Sequence, residues 1–119
     1  MKIDDITQAS LLYDFYGQLL TKRKREVMEL YYEENLSLTE IADEFGISKQ
    51  AVSDALRNAV KSLNEYESKL GLVEKLQNTN DAIARIDGII DSIIGGKLSS
   101  EDTITSLRTV KDIIDKLED

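Results

Sequence analysis

Residues 36–63, LSLTEIADEFGISKQAVSDALRNAVKSL, carry the signals for two helices joined by a tight turn. Ser37 and Glu40 have the spacing of a capping box, in which each side chain accepts a hydrogen bond from the backbone N–H of the other residue. Gly46 follows an apolar stripe of helical period and suits the left-handed conformation that ends a helix. Ser48 can cap a second helix. The stretch therefore predicts one helix after Ser37, a turn at Gly46 and another helix after Ser48.

Two helices joined by a short turn that contains Gly form a helix-turn-helix, whose second helix can enter the major groove of DNA. The second helix here has a predicted buried stripe of Val52, Ala55, Leu56, Ala59, Val60 and Leu63. On its other face, the predicted contact residues are Ser48, Lys49, Gln50, Ser53, Asp54, Arg57 and Lys61. Hydroxyl, amide and basic side chains contact base edges and phosphates, whereas Asp54 repels phosphate unless it accepts from a cytosine amino group. Because any solvated helix has a polar face, the turn pattern carries most of this prediction.

The composition restricts the classes of function. The 119 residues include no Pro, Cys, Trp or His, which excludes disulfides and histidine-based catalytic or metal sites. Adjacent carboxylates on a helix point in different directions, so we expect no enzyme activity, no cofactor and no metal site. With 15 basic and 23 acidic residues the formal charge is −8, which opposes unaided binding of nucleic acid. No apolar run is long enough to cross a bilayer and no signal peptide is visible, so we expect a cytoplasmic protein without a membrane partner.

Helical spacing of apolar residues predicts two more helices before the motif. The first, over residues 6–20, has the apolar stripe Ile6, Ala9, Leu12, Phe15, Tyr16 and Leu19. The second begins after Thr21 and has the apolar face Val27, Met28, Leu30, Tyr31 and Tyr32. Its first turn is basic, and cations at the start of a helix oppose the helix dipole and lower stability. A basic cluster that is present despite this cost suggests an anionic partner, for which Lys22 and Arg25 are candidate contacts. The alternative is a solubilising turn paired with nearby glutamates.

After Ser48 no helix-breaking residue occurs before Gly71, so the second helix of the motif is predicted to reach residue 70. Along it runs a heptad-like seam of Leu56, Ala59, Leu63, Tyr66, Leu70 and Val73. Such a seam needs a partner helix, either in another subunit or in a later part of the chain. Two further amphipathic helices follow, separated by a Gly pair and by a cap at Ser99 or Ser100. Gly88 lies inside the first of them, where Gly costs about 1 kcal/mol relative to Ala unless close packing requires it.

These predictions combine into an all-α protein with two parts. Residues 1–70 form a helix-turn-helix head that resembles sigma region 4, with the motif at 37–63. Residues 71–119 form a C-terminal amphipathic helical hairpin or arm for packing or oligomerisation, either separate from the head or within the same domain.

The motif and the segment before it resemble a known family. Residues 19–63 are similar to region 4 of bacterial sigma factors, in which a leading helix packs over a helix-turn-helix. With the preceding LLYDFYGQ, the chain is closer to the YlxM family, small bacterial helix-turn-helix proteins to which DNA binding is ascribed. The most specific part is SLTEIADEFGISKQAVSD, and the resemblance implies a recognition role for the contact residues from Ser48 to Lys61. YlxM genes lie beside that of the signal recognition particle GTPase, so the resemblance also implies a part in that targeting pathway or its regulation.

Two functions follow from these observations. The first is a regulatory protein that binds DNA, or alternatively RNA, through the second motif helix and forms a homodimer through its C-terminal heptads. The second is a protein-interaction module or ribonucleoprotein accessory factor that binds the targeting GTPase or its RNA. The first is the leading hypothesis, and the second is motivated by the net charge of −8, by Asp54 on the contact face and by the long heptad-rich arm.

Overall fold

The computed structural model describes residues 5–118, and these contain six α-helices and no strand. The helices are α1 (Asp5–Tyr16), α2 (Lys22–Met28), α3 (Leu38–Phe45), α4 (Lys49–Leu70), α5 (Leu72–Ile94) and α6 (Ser100–Leu117). A 3₁₀ turn, Gly17–Leu19, follows α1, and a π turn, Glu29–Glu33, follows α2. The predicted all-α fold with a helix-turn-helix is confirmed.

The capping signals of the motif form the hydrogen bonds that its sequence predicts. The Ser37 Oγ accepts from the Glu40 N–H at 3.1 Å, and the Glu40 Oε1 accepts from the Ser37 N–H at 3.1 Å. Gly46 has φ 64°, which is the left-handed conformation. The Ser48 Oγ accepts from the Ala51 N–H at 3.0 Å. Helices α3 and α4 therefore begin and end at positions set by local interactions.

The other helix boundaries follow the same local chemistry. The Thr21 Oγ1 accepts from the Lys24 N–H at 3.5 Å at the start of α2. Gly71, with φ 62°, ends α4. Of the two serines that could cap α6, Ser99 does so, because its Oγ accepts from the Asp102 N–H at 3.1 Å.

The described residues divide into two compact units, one that extends to Val73, here called the head, and one from Glu74 onward, here called the hairpin. The head has a single apolar core to which α1, α2, α3 and α4 all contribute. Its largest fully buried members are Leu12, Tyr16, Val27, Met28, Ile41, Val52, Leu63 and Val73. Both helices of the helix-turn-helix thus pack on this core, and burial of apolar surface contributes about 25 cal/mol per Å².

The heptad-like seam of α4 packs differently from its prediction. Leu56, Ala59 and Leu63 are buried in the head core by α1, α2 and α3. The partner of this part of the seam is therefore an earlier segment of the same chain, and the expectation of another subunit or a later segment is wrong for these residues. Leu70, at the end of the seam, is 56% exposed.

The apolar stripe predicted for α1 is only partly buried. Ala9, Leu12 and Tyr16 lie in the core, whereas Phe15 and Leu19 are exposed. The prediction is wrong for Leu19 because α1 ends at Tyr16, and the 3₁₀ turn that follows changes the direction of the side chains. Ile6, at the other end of the stripe, is also exposed.

A buried hydrogen-bonded cluster holds the start of α5 against the head. The Tyr16 hydroxyl donates to the Glu67 Oε1 at 2.6 Å and accepts from the Leu72 N–H at 3.0 Å. The Glu67 Oε1 also accepts from the Val73 N–H at 3.0 Å. These contacts satisfy backbone donors of the first turn of α5, which have no partner within the helix itself. They hold Leu72 and Val73, the first residues of α5, within the head.

The hairpin consists of most of α5 and all of α6. Ala82 of α5 and Ile113 of α6 are buried, and both line one cavity of about 260 Å³, so the two helices pack side by side. Many apolar side chains of this unit remain exposed, among them Ile83, Ile90, Ile94, Ile104, Leu107 and Ile114. Gly88 has open space around its Cα, so close packing does not explain it. Within residues 5–118, no helix has both the length and the apolarity that a membrane span requires.

Candidate nucleic-acid interface

The structure brings the predicted contact residues of α4 together on one face, here called the recognition strip. The strip consists of Lys49, Gln50, Ser53, Asp54, Arg57 and Lys61, and Ser48 precedes it as the N-cap of α4, outside the helix. At 3.6 residues per turn, the members from Lys49 to Lys61 fall within an arc of about 140° and extend over about 18 Å. The buried residues of α4 occupy a separate arc. A helix of this shape fits the major groove of B-DNA, which is about 12 Å wide.

Most members of the strip are accessible to a ligand. Lys49, Gln50, Arg57 and Lys61 are exposed, and so is the capping residue Ser48, whereas Ser53 and Asp54 are half-buried. Three cations and one carboxylate give the strip a net charge of +2, although the whole chain carries −8. A local positive field at the contact face therefore exists within an acidic protein.

Asp54 links two other members of the strip. Its Oδ1 accepts from the Gln50 Nε2 at 3.0 Å and lies 3.4 Å from the guanidinium of Arg57. The ion pair is exposed, with 50% of the Asp54 side chain and 69% of the Arg57 side chain accessible. Exposed pairs of this kind contribute about 0.2–1 kcal/mol. Asp54 thus orients Gln50 and Arg57 and at the same time neutralises part of the positive charge.

The two candidate contacts outside the motif, Lys22 and Arg25, lie on α2. Lys22 lies 3.9 Å from Glu26 in an exposed i,i+4 pair, as the alternative of a surface turn paired with glutamates predicts. Arg25 is half-buried. A third residue of this basic cluster, Arg23, has its guanidinium 4.5 Å from the ring centroid of Phe45, so a cation–π contact joins α2 to the end of α3.

Arg25 lies near an acidic and aromatic pair within the head. The Tyr13 hydroxyl donates to the Glu29 carboxylate. Burial raises the pKa of Tyr13, the hydrogen bond to Glu29 raises it further, and the charge of Arg25 lowers it. Arg25 therefore lies within electrostatic range of the Tyr13–Glu29 pair.

Two tyrosines, Tyr31 and Tyr32, lie beside the strip, although apolar spacing placed both on the apolar face of the second predicted helix. Tyr31 and Tyr32 are at the centre of the π turn, and Tyr31 is 37% exposed, so its prediction as part of a buried face is wrong. A cavity of about 350 Å³ lies between these rings and α4, lined by Tyr31, Tyr32, Leu38, Ser53, Leu56, Arg57 and Val60. We call it the tyrosine cavity. The helical spacing that assigned both tyrosines to an apolar face does not distinguish Tyr31 from a core residue, so no sequence signal marks this cavity.

No residue set in the described part of the chain suggests a metal centre. Within residues 5–118, no three or more carboxylates lie close enough together to hold an ion. The described side chains around the strip offer hydrogen-bonding groups, positive charge and aromatic faces.

A family model with the description "Putative helix-turn-helix protein, YlxM / p13 like", UPF0122, matches residues 3–97. This chain belongs to the UPF0122 family. The match includes the complete helix-turn-helix and α5 and ends before α6. The resemblance to YlxM proteins that the motif indicates is confirmed. The description of the family names a helix-turn-helix and no reaction.

Proteins named UPF0122 from several bacteria are similar to this chain. The protein from Desulforamulus reducens is 39% identical over 110 residues, 92% of this chain and 93% of the relative. The protein from Caldanaerobacter subterraneus subsp. tengcongensis is 51% identical over 83 residues, 70% of this chain and 71% of the relative. The protein from Bacillus thuringiensis is 36% identical over 116 residues, 98% of this chain and 99% of the relative. The similarity to the last of these therefore includes the hairpin as well as the head.

Proposed function

We propose that this UPF0122 protein is a regulatory protein that binds duplex DNA by placing the recognition strip of α4 in the major groove. The observation that carries the proposal is the strip itself, because exposed basic and amide side chains share one face of the second helix of a helix-turn-helix. The positive end of α4 also lies at Ser48, where backbone N–H groups can meet a phosphate. The reaction is binding without catalysis.

The electrostatic part of this proposal has a measurable consequence. Each phosphate neutralised on duplex DNA adds about −0.9 to the slope of log K against log salt concentration. Contacts by Lys49, Arg57 and Lys61 give a slope of about −3, and further contacts by Lys22 and Arg25 give −4 to −5. The measured slope therefore shows whether α2 takes part in binding, because contacts by α2 make the slope steeper.

Fluorescence anisotropy with a labelled duplex, measured from 50 to 200 mM salt, tests this account. A Lys49→Ala or Lys61→Ala variant reduces the magnitude of the slope by about 1, because each substitution removes one phosphate contact. Lys111→Ala is the matched control, since Lys111 is an exposed lysine on α6. An affinity that does not change with salt, or an equal loss in the Lys111 variant, would refute binding through the strip.

We further propose that the protein acts as a homodimer joined through its hairpin. Support comes from Ile83 and Ile90, which are seven residues apart on α5 and are 57% and 39% exposed. Dimerisation presents two copies of α4, and binding to successive major grooves requires about 34 Å between them. Ile83→Glu with Ile90→Glu should yield a monomer in sedimentation velocity, whereas Ala84→Glu on the same helix should leave the dimer intact. A wild-type protein that sediments as a monomer at all concentrations would contradict the dimer.

A second candidate function is an accessory role in the signal recognition particle pathway, with the targeting GTPase or its RNA as partner. The family resemblance suggests this partner, and the net charge of −8 together with Asp54 in the strip favours it over an unaided DNA reader. Capture of the purified GTPase by the tagged protein, with and without nuclease, separates the alternatives. Capture that survives nuclease supports a protein contact, and capture that nuclease abolishes supports an RNA contact.

A further inference from the structure

The tyrosine cavity is continuous with the recognition strip. Ser53 and Arg57 belong to the strip and also line the cavity, on the side of α4 that faces the π turn. A second cavity, of about 300 Å³, is also lined by these two rings, together with Ile6, Asn35, Leu36 and Ser37. The rings therefore border two surface depressions, one of which shares residues with the proposed DNA-contact face.

The backbone before α3 holds the tyrosines in this position. The Leu36 N–H donates to the Leu30 carbonyl oxygen at 3.0 Å across the π turn. Asn35 has φ 58°, the only positive φ among the non-glycine residues that the structure describes. Local π segments and left-handed residues other than Gly are uncommon and often occur at functional sites. The Tyr31 and Tyr32 rings, with centroids 5.0 Å apart and planes at 81°, brace each other edge to face.

We propose that the tyrosine cavity holds one unpaired nucleobase of a nucleic acid whose adjoining duplex lies against the recognition strip. This inference rests on the proposed function, because the strip supplies the duplex contact. An aromatic face stacks on any base, and a positive group at the edge of the stack meets the phosphate of the same nucleotide. The cavity offers both groups, since Tyr31 supplies an accessible ring and Arg57 supplies a cation at its border.

Charge complementarity distinguishes a nucleotide from an apolar peptide side chain as the occupant. An apolar side chain can contact Leu38, Val60 and the rings, but it makes no use of the Arg57 guanidinium, whose ion pair with Asp54 at 3.4 Å is exposed and therefore weak. A nucleotide contacts the rings with its base and Arg57 with its phosphate. The ligand class is therefore a duplex with a bulged, looped or terminal unpaired base, and such bases occur in both DNA and RNA.

The test compares fully paired hairpins with hairpins that carry one unpaired adenine, placed at successive positions along the stem. Anisotropy at constant salt measures the affinity for both DNA and RNA versions. For the wild-type protein, at least one bulge position should tighten binding about fivefold or more relative to the paired stem of the same nucleic acid. If the gain occurs with DNA hairpins the unpaired base is that of DNA, and if it occurs with RNA hairpins the base is that of RNA.

Variants of Tyr31 connect the gain to the cavity. Tyr31→Leu should abolish the gain and leave the affinity for the paired stem unchanged, whereas Tyr31→Phe, which keeps the aromatic face, should retain it. Lys61→Ala should lower the affinity for the bulged hairpin and for the fully paired hairpin by the same factor. In case the Leu variant does not fold, 2-aminopurine at the unpaired position provides a second measurement, because stacking on the ring should quench its fluorescence with the wild-type protein.

The outcomes separate this inference from the proposed function. Binding of the paired stem with no gain at any bulge position, or a gain that persists in Tyr31→Leu, overturns the tyrosine-cavity site and leaves the strip as a duplex reader. Binding of bulged hairpins through Tyr31 without measurable binding of paired stems supports the cavity and refutes duplex recognition by the strip alone. Failure of all hairpins to bind refutes both.

Discussion

Replacement of Asp54 by Asn tests whether the strip contacts phosphates or reads a base. In the structure, the Asp54 carboxylate accepts from Gln50 and pairs with Arg57 at 3.4 Å. Asn has nearly the same size and can still accept from Gln50, so the shape of α4 is preserved. The substitution removes one negative charge from the middle of a face that has three positive charges.

Two effects determine the expected gain in affinity. Release of Arg57 from an exposed ion pair makes about 0.5 kcal/mol available for a contact with phosphate. Removal of the repulsion between the carboxylate and a phosphate at about 7 Å contributes about 0.6 kcal/mol in water at low salt. Together they give about 1 kcal/mol, which corresponds to about fivefold tighter binding of duplex DNA.

Anisotropy titrations at 50 mM salt measure this change, and Asp87→Asn is the control because Asp87 is an exposed carboxylate on α5. If only Asp54→Asn tightens binding, the effect arises at the strip and not from the change in net charge. Weaker binding of the Asp54 variant to one particular sequence would refute the reasoning and would indicate that the carboxylate accepts from a cytosine amino group. Equal gains in affinity in both variants would show that the effect arises from the net charge of the protein.

Three further predictions concern stability, and each is measured by chemical denaturation followed by circular dichroism. Gly46→Ala should lower the free energy of unfolding by about 1–2 kcal/mol, because φ 64° is strained for a residue with a Cβ even though no atom lies close by. Gly88→Ala should raise the stability of the unit that contains it by about 1 kcal/mol, since open space surrounds this helical glycine; a loss would indicate an unseen contact at that face. Burial and the hydrogen bond to Glu67 raise the pKa of Tyr16 above its ordinary value of 10.0. The folded state therefore favours the neutral phenol, so the contribution of Tyr16 to stability is complete below pH 10 and declines as the pH rises through the raised pKa. Tyr16→Phe should make the alkaline decline less steep, and an unchanged profile would exclude Tyr16 as its source.

The sequence alone predicted the parts of the fold that depend on neighbours along the chain. The capping box at Ser37, the left-handed Gly46 and the cap at Ser48 involve contacts within four residues, and the structure confirms each of them. The alignment of the strip on one face follows from the helical period once those boundaries are known. The contacts of Asp54 with Gln50 and Arg57, at separations of four and three residues, were also accessible to sequence reasoning.

Other features depend on which elements meet in space. Apolar spacing could not show that Phe15 and Leu19 remain exposed, because burial requires a facing helix. Leu19 also lies beyond the end of α1 at Tyr16, so it does not continue the predicted stripe. The same limit applies to the seam of α4, whose apolar residues indicate that a partner exists but not which segment provides it. Leu56 and Leu63 pack against the preceding helices of their own head.

The sequence by itself therefore determined the helix-turn-helix, the breaks between helices and the polar face of α4, since all of these arise from short-range hydrogen bonds and helical period. Only the tertiary structure decided that Tyr31 stands beside that face and that Tyr16 meets Glu67 across 51 residues of chain. Contacts over such separations depend on how complete helices pack around a common core, and helical spacing alone does not show which helices meet.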